Sequence, residues 1–142
     1  MNYQFLANTR LFRGISVDEL EKMLTCFSVQ TRQYEKGSLI LRAGQTVSAI
    51  GLVLSGNITI ENNDLWGNRT VMDRLGAGAI FAESYALTPE EILMVDIVAN
   101  EPTEVLFLQT RAILNPCQES CYSHRALLGN LLAISSQKNL HI

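Results

Sequence analysis

Three side chains near the end of the chain have the types and spacing for metal or thiol chemistry: Cys117, Cys121 and His124. They recur at i, i+4 and i+7, so a continuous helix would project all three from about one face. Thiolate and imidazole donors suit zinc, or iron in an iron–sulfur or haem environment. A tetrahedral site would draw its fourth ligand from Cys26 or from a second copy. A position near a helix N-terminus favours the thiolate of Cys117, which helps ligation and oxidation alike. The same residues also read as small apolar fillers, a common use of free cysteine. A Cys117–Cys121 disulfide would strain a regular helix. The cysteine count is odd and Met1–Asn8 lacks the basic start and apolar core of a secretory leader, so no disulfide framework is expected.

Other chemistry is sparse. There is no Ser/His/Asp grouping, no Walker-type glycine loop and no His-Glu-x-x-His helix, and both histidines, His124 and His141, fall at the C-terminal end, so no enzyme is expected. A formal charge of −3 gives no basic footprint for nucleic acid. No apolar run reaches the ~20 residues that a spanning helix needs. The reading is a cytoplasmic protein without a membrane partner.

The elements that must position these residues follow from local signals. Ser16-Val17-Asp18-Glu19 has capping-box spacing, with the Ser16 hydroxyl accepting from the Glu19 amide and the Glu19 side chain reaching back to the Ser16 amide. Leu20, Met23, Leu24 and Phe27 continue at helical spacing and make one apolar stripe. From about residue 28 to 109 the texture is short runs of Val, Ile, Leu, Thr and Phe. Turn residues separate them at Lys36-Gly37, Ala43-Gly44, Ser55-Gly56, Asn62-Asn63-Asp64, Gly67-Asn68 and Gly76-Ala77-Gly78. That rhythm predicts many short antiparallel strands closed into a barrel or sandwich. Ile50 to Ile60 reads as strand, glycine turn, strand, and Thr103 to Leu108 as a late strand. Asn115 as cap, Pro116 at the first helical position and Gln118 then predict a helix running to the end. Leu127, Leu131, Ile134, Lys138 and His141 step along it by four and three, a seam for a second copy or for the chain's own domain. Gly129 leaves room there for a close helix contact.

The order of these pieces resembles the cyclic-nucleotide-binding domain of the Crp/Fnr transcription regulators. Leu11-Phe12, Ser16 and Glu19-Leu20 look like that family's opening helix. The stretch from Tyr34 to Gly44 is similar to its second and third strands. Gly51-Leu52-Val53-Leu54-Ser55-Gly56 matches its strand, turn, strand element, and Gly78-Ala79-Ile80-Phe81-Ala82-Glu83 falls where it carries its phosphate-binding cassette. The resemblance implies an α+β fold: an antiparallel β-roll of double-stranded β-helix or jelly-roll type, with an N-terminal helix and a long C-terminal dimerisation helix. It divides the chain into a sensor at 1–114 and the start of the dimerisation helix at 115–142. It implies a homodimer through that helix, an unidentified small-molecule effector, and DNA contact only through a helix-turn-helix expected after Ile142.

The cassette departs from the family's pattern. In nucleotide-binding members it reads Phe-Gly-Glu and then, after a short helix, Arg-x-Ala. Glycine lets backbone amides approach the phosphate, glutamate accepts from the ribose hydroxyl, and arginine offers a forked donor to the phosphate. Phe81 and Glu83 stand in place, but Ala82 replaces the glycine and Leu93 falls where the arginine belongs. A buried phosphate without a matched cation keeps several kcal/mol of desolvation cost, so cyclic AMP is not expected to bind. Glu90 and Glu91 nearby add negative charge. The cassette residues Phe81, Ala82, Glu83, Ser84 and Tyr85, with Leu93 and Met94, then border either a pocket for a neutral or aromatic effector or a packed interior. Glu83 also reads as a cap of the short helix at Ser84–Leu87.

Overall fold

Ser16 begins the first long helix as its spacing requires. In the computed structural model its hydroxyl accepts from the Glu19 amide at 3.2 Å, and α2 runs Val17–Cys26 behind a five-residue α1, Tyr3–Ala7. The structure describes residues 1–27, 29–88, 90–115 and 121–139, with backbone alone at 121, 122 and 139. Leu20, Met23, Leu24 and Phe27 are all buried, so the stripe read from the sequence is the packed face of α2. The Glu19 carboxylate does not close the capping box; it accepts from the Ser123 hydroxyl at 2.9 Å, a partner distant in sequence.

Eight strands follow: β1 Gln30–Tyr34, β2 Leu39–Leu41, β3 Ala49–Ser55, β4 Asn57–Asn63, β5 Arg69–Gly76, β6 Ile80–Phe81, β7 Asp96–Ala99 and β8 Thr103–Gln109. They form two four-stranded sheets, ordered β1-β8-β3-β6 and β2-β7-β4-β5, and every named pairing is antiparallel. Ile40, Val53, Ile58, Phe81, Ile97, Ala99 and Val105 come from both sheets and make one buried cluster, so the core lies between them. This is the antiparallel roll that the turn rhythm predicts. Gly56 shows why the glycines punctuate it. Its φ is +86°, and a Cβ there would strike the Pro102 carbonyl and Thr103.

After β8 the chain departs from expectation. A short α4, Thr110–Leu114, precedes α5, Cys121–Asn139. Asn115 ends α4 in an extended conformation, its amide and side-chain nitrogen both donating to the Arg111 carbonyl at 3.0 and 2.8 Å. The following Pro116 explains this, because a residue before proline is pushed out of the helical region. The expected caps Pro116 and Gln118 lie outside the described residues. Along α5, Leu127, Leu131 and Ile134 are buried within the single chain while Lys138 is exposed. The seam is thus filled by the chain itself, and His141 lies outside the described residues. Asn130 fastens α5 by donating to the Leu11 and Arg13 carbonyls, each at 2.8 Å. The face left open carries Arg125, Gly129, Leu132, Ala133 and Ser136.

The chain groups into two compact units, Met1–Val29 with Leu108–Ile142, and Gln30–Phe107. Among the described residues no helix is long and apolar enough to cross a membrane.

Candidate functional site

The cassette is built on β6. Gly51 and Leu52 of β3 pair with Phe81 and Ile80, and the preceding turn is closed by Gly78 donating to the Val53 carbonyl at 2.8 Å. A Cβ at Gly51 would overlap the Phe81 ring, so this glycine makes the room that Phe81 occupies. Phe81 is fully buried and meets Phe107 edge-on, with centroids 6.3 Å apart. Its ring belongs to the core between the sheets.

Ala82 is the one described residue other than glycine with positive φ: 64°, with ψ 13°. Side chains seldom adopt this left-handed region, where Cβ crowds the next carbonyl at a cost of about 1–2 kcal/mol. The backbone therefore keeps a conformation suited to glycine although the residue is alanine. From there α3, Glu83–Ala86, turns once, with Ala86 donating to the Ala82 carbonyl at 2.9 Å. Glu83 is buried, Tyr85 half-buried and Ser84 exposed.

Leu93 is held from a different direction. Its amide donates to the Gln45 carbonyl at 2.9 Å, and its carbonyl accepts from the Gly44 amide at 2.8 Å. The side chain is 1% exposed, whereas its neighbour Met94 is 71% exposed. Of the seven candidates, Phe81, Glu83 and Leu93 are therefore interior, Ala82 and Tyr85 are partly covered, and Ser84 and Met94 face solvent. Glu90 and Glu91 are exposed.

The Gly44–Gln45 loop that holds Leu93 is itself anchored by an acid. Asp96 accepts from the Ala43 amide at 2.8 Å and from the Asn63 side chain at 2.7 Å. These bonds, the backbone one foremost, hold its carboxyl below the usual range. Opposite Asp96 on the neighbouring strand β4, Glu61 is buried, accepting from the Thr59 hydroxyl at 2.5 Å and from Arg69 through both oxygens, at 2.8 and 2.5 Å. The Arg69 bonds lower its pKa against the opposing effect of burial. Sequence reading missed this cluster. Its signal was the alternation Ile58-Thr59-Ile60-Glu61, which places an apolar and a polar residue on opposite faces of one strand.

At the second candidate site, His124 is 5% exposed and packs edge-on to Phe27, with centroids 6.2 Å apart. Its Nδ1 is buried without a hydrogen-bond partner among the described residues, a desolvation cost of about 1–3 kcal/mol. Cys117 and the Cys121 side chain lie outside the described residues, so of the expected ligand triad the structure describes His124 alone. Among the described residues no group of three or more His, Cys, Asp or Glu could hold a metal. Cys26, the suggested fourth ligand, is disulfide-bonded. The sequence reading expected no disulfide framework, because spacing along a chain does not show which distant elements meet.

Residues 31–120 match the family model described as a cyclic nucleotide-binding domain. The sequence is 34% identical over 98 residues to the cyclic AMP receptor protein of Thermus thermophilus, covering 69% of this chain and 44% of that one. The chain thus spans less than half the length of the curated relative it matches. The fold superposes on the catabolite activator protein of the same organism with a TM-score of 0.77 at 26% identity, over 94% of this chain and 59% of that one. It superposes on the sensor domain of the transcriptional regulator DNR from Pseudomonas aeruginosa with a TM-score of 0.72, over 98% and 91% of the two chains. At 22% identity that second likeness speaks for the fold.

Proposed function

The chain belongs to the cyclic nucleotide-binding domain family, and from that premise we propose that it is the effector-sensing domain of a Crp/Fnr-type transcription regulator that takes an uncharged effector instead of a cyclic nucleotide. The observation that carries this is Leu93. A neutral, buried side chain stands where the family pattern wants a guanidinium, so a phosphate entering there would lose its water without gaining a cation. Ala82 in the left-handed region and buried Glu83 support retention of the cassette's backbone path. Glu83 is the group to accept from a hydroxyl of the effector, and Tyr85 is the aromatic side chain beside it. The sensor occupies 1–114, with α5 leading toward DNA-binding machinery and no catalysis.

Binding of ribonucleosides, followed by the thermal midpoint of the protein, tests the effector class. Adenosine or guanosine should raise it saturably in the native protein and not in Glu83→Gln. A ligand panel in which every saturable binder carries a phosphate would overturn the reading.

A second reading, metal or redox sensing through Cys117, Cys121 and His124, draws support from the buried, unpartnered Nδ1 of His124. Metal content and the visible spectrum of anaerobically purified protein test it. Stoichiometric zinc, iron–sulfur or haem supports it, and metal-free protein with unreactive thiols contradicts it.

A further inference from the structure

A cleft of about 600 Å³ opens where the ends of the adjacent strands β1, β8 and β3 meet the turn that follows β1. Gln33 and Tyr34 end β1 opposite Glu104 and Thr103 of β8, and Ser55 ends β3 on the other side of β8. The walls are fixed by the backbone. Gly37, at φ +86°, donates its amide to the Ala99 carbonyl at 2.7 Å, and the Ser38 amide donates to the Glu35 carbonyl at 3.0 Å, which sets the turn carrying Glu35 and Lys36. Across the cleft Gly56 lies against Pro102 with no room for a Cβ, and the Thr103 hydroxyl donates to the Glu101 carbonyl at 2.8 Å. A cleft held in this way is preformed, as small-molecule sites usually are, and its volume is in their range.

Donors and acceptors interleave along these walls. Glu35, Lys36 and Ser55 are exposed, and their side chains have no hydrogen bond or ion pair among the described residues. Glu104 accepts from the Gln33 side chain at 3.3 Å and keeps lone pairs to spare. Tyr34 is half-buried, and desolvation foremost raises its pKa, so its phenol keeps its proton at neutral pH. One ammonium stands with two carboxylates, so no strong field of one sign selects an ion. Beside these groups the Tyr34 and Pro102 rings give flat apolar surface. We infer that this cleft binds a neutral polyhydroxyl ligand, a carbohydrate of about disaccharide size, with a sugar ring against Tyr34 and Pro102 and its hydroxyls shared among Lys36, Ser55, Glu35 and Glu104. Each sugar hydroxyl both donates and accepts, which is what interleaved partners of both kinds require. The C–H face of a pyranose is apolar and matches the two rings. An anionic ligand would meet the two carboxylates, and a bare cation would meet Lys36. The cleft shares no residue with Phe81–Tyr85 or Leu93, so it stands whether or not the cassette takes an effector.

The test titrates the purified chain with maltose, cellobiose and lactose, with glucosamine and a sugar phosphate as charged counterparts, and follows the backbone amides by nuclear magnetic resonance. At least one disaccharide should shift the amides of Lys36, Ser55 and Thr103 saturably, leave Phe81–Tyr85 unmoved, and bind equally at low and high salt. Ser55→Ala and Lys36→Met change exposed positions and should each weaken that binding about fivefold, the worth of one typical hydrogen bond. Tyr34→Leu keeps apolar volume against the core, removes the ring and should abolish binding; where that variant does not fold, the two exposed ones decide. No saturable shift with any of the three disaccharides, shifts centred on the cassette, binding confined to the charged counterparts, or sugar binding indifferent to both exposed substitutions would overturn the proposal.

Discussion

Ala82 holds a φ of 64° at the position where the family pattern has glycine, and the sign of its substitution can be worked out. Alanine in the left-handed region costs about 1–2 kcal/mol. Glycine removes that strain but adds about 0.4–1 kcal/mol of unfolded-chain entropy. Ala82→Gly should therefore be neutral to stabilising, by up to about 1.5 kcal/mol in urea unfolding. A clear loss of stability would show that the alanine methyl makes a packing contact the strain argument ignores. Leu93 behaves as an interior residue with backbone bonds on both sides. Truncation to alanine should cost about 2–5 kcal/mol, as for a packed core leucine. A cost below about 1 kcal/mol would mean that the side chain borders open space.

Elements show what a single sequence carries and what it leaves out. The capping pattern at Ser16 and the glycine-punctuated strands were legible because they depend on neighbours within a few residues. The α4 helix was not, since the local signals at Asn115 and Pro116 suit either the end of one helix or the start of the next. The Leu127, Leu131, Ile134 seam was visible as a stripe, but periodicity cannot say whether the partner is the same chain or another. Burial in the single chain answers that, and moves any dimer contact to the open face with Leu132, 69% exposed, beside Gly129 and Ala133. Leu132→Glu should leave the monomer's stability within about 0.5 kcal/mol, as for exposed positions generally. If α5 pairs with a second copy, sedimentation should show a shift toward monomer, and an unchanged association state would place the interface elsewhere. Side-chain anchoring of the 43–45 loop and of β4 was not legible either, because Asp96 and Glu61 find partners 53 and 8 residues away. Both carboxyls have lowered pKa values in the fold. Each therefore adds stability that is complete above the ordinary carboxylate range of about 4 and is lost as pH falls through the lower folded value. The thermal midpoint should drop below about pH 4, and less so in Asp96→Asn, which starts lower; equal acid slopes in both proteins would contradict this.

For the whole molecule, the proposed function keeps the family's fold and changes the chemistry of the cassette. The chain belongs to the cyclic nucleotide-binding domain family, while in the proposed reading the position that would balance a phosphate charge holds the buried Leu93. Resemblance made the roll architecture readable from the sequence. The junction of α2 with α5 was not readable, because it arises from contact between the two ends of the chain. The most direct measurement is isothermal calorimetry of the native protein with cyclic AMP and cyclic GMP. The account predicts no saturable heat at micromolar ligand for either. Stoichiometric micromolar binding of a cyclic nucleotide, retained when Leu93 is untouched and lost in Glu83→Gln, would contradict it.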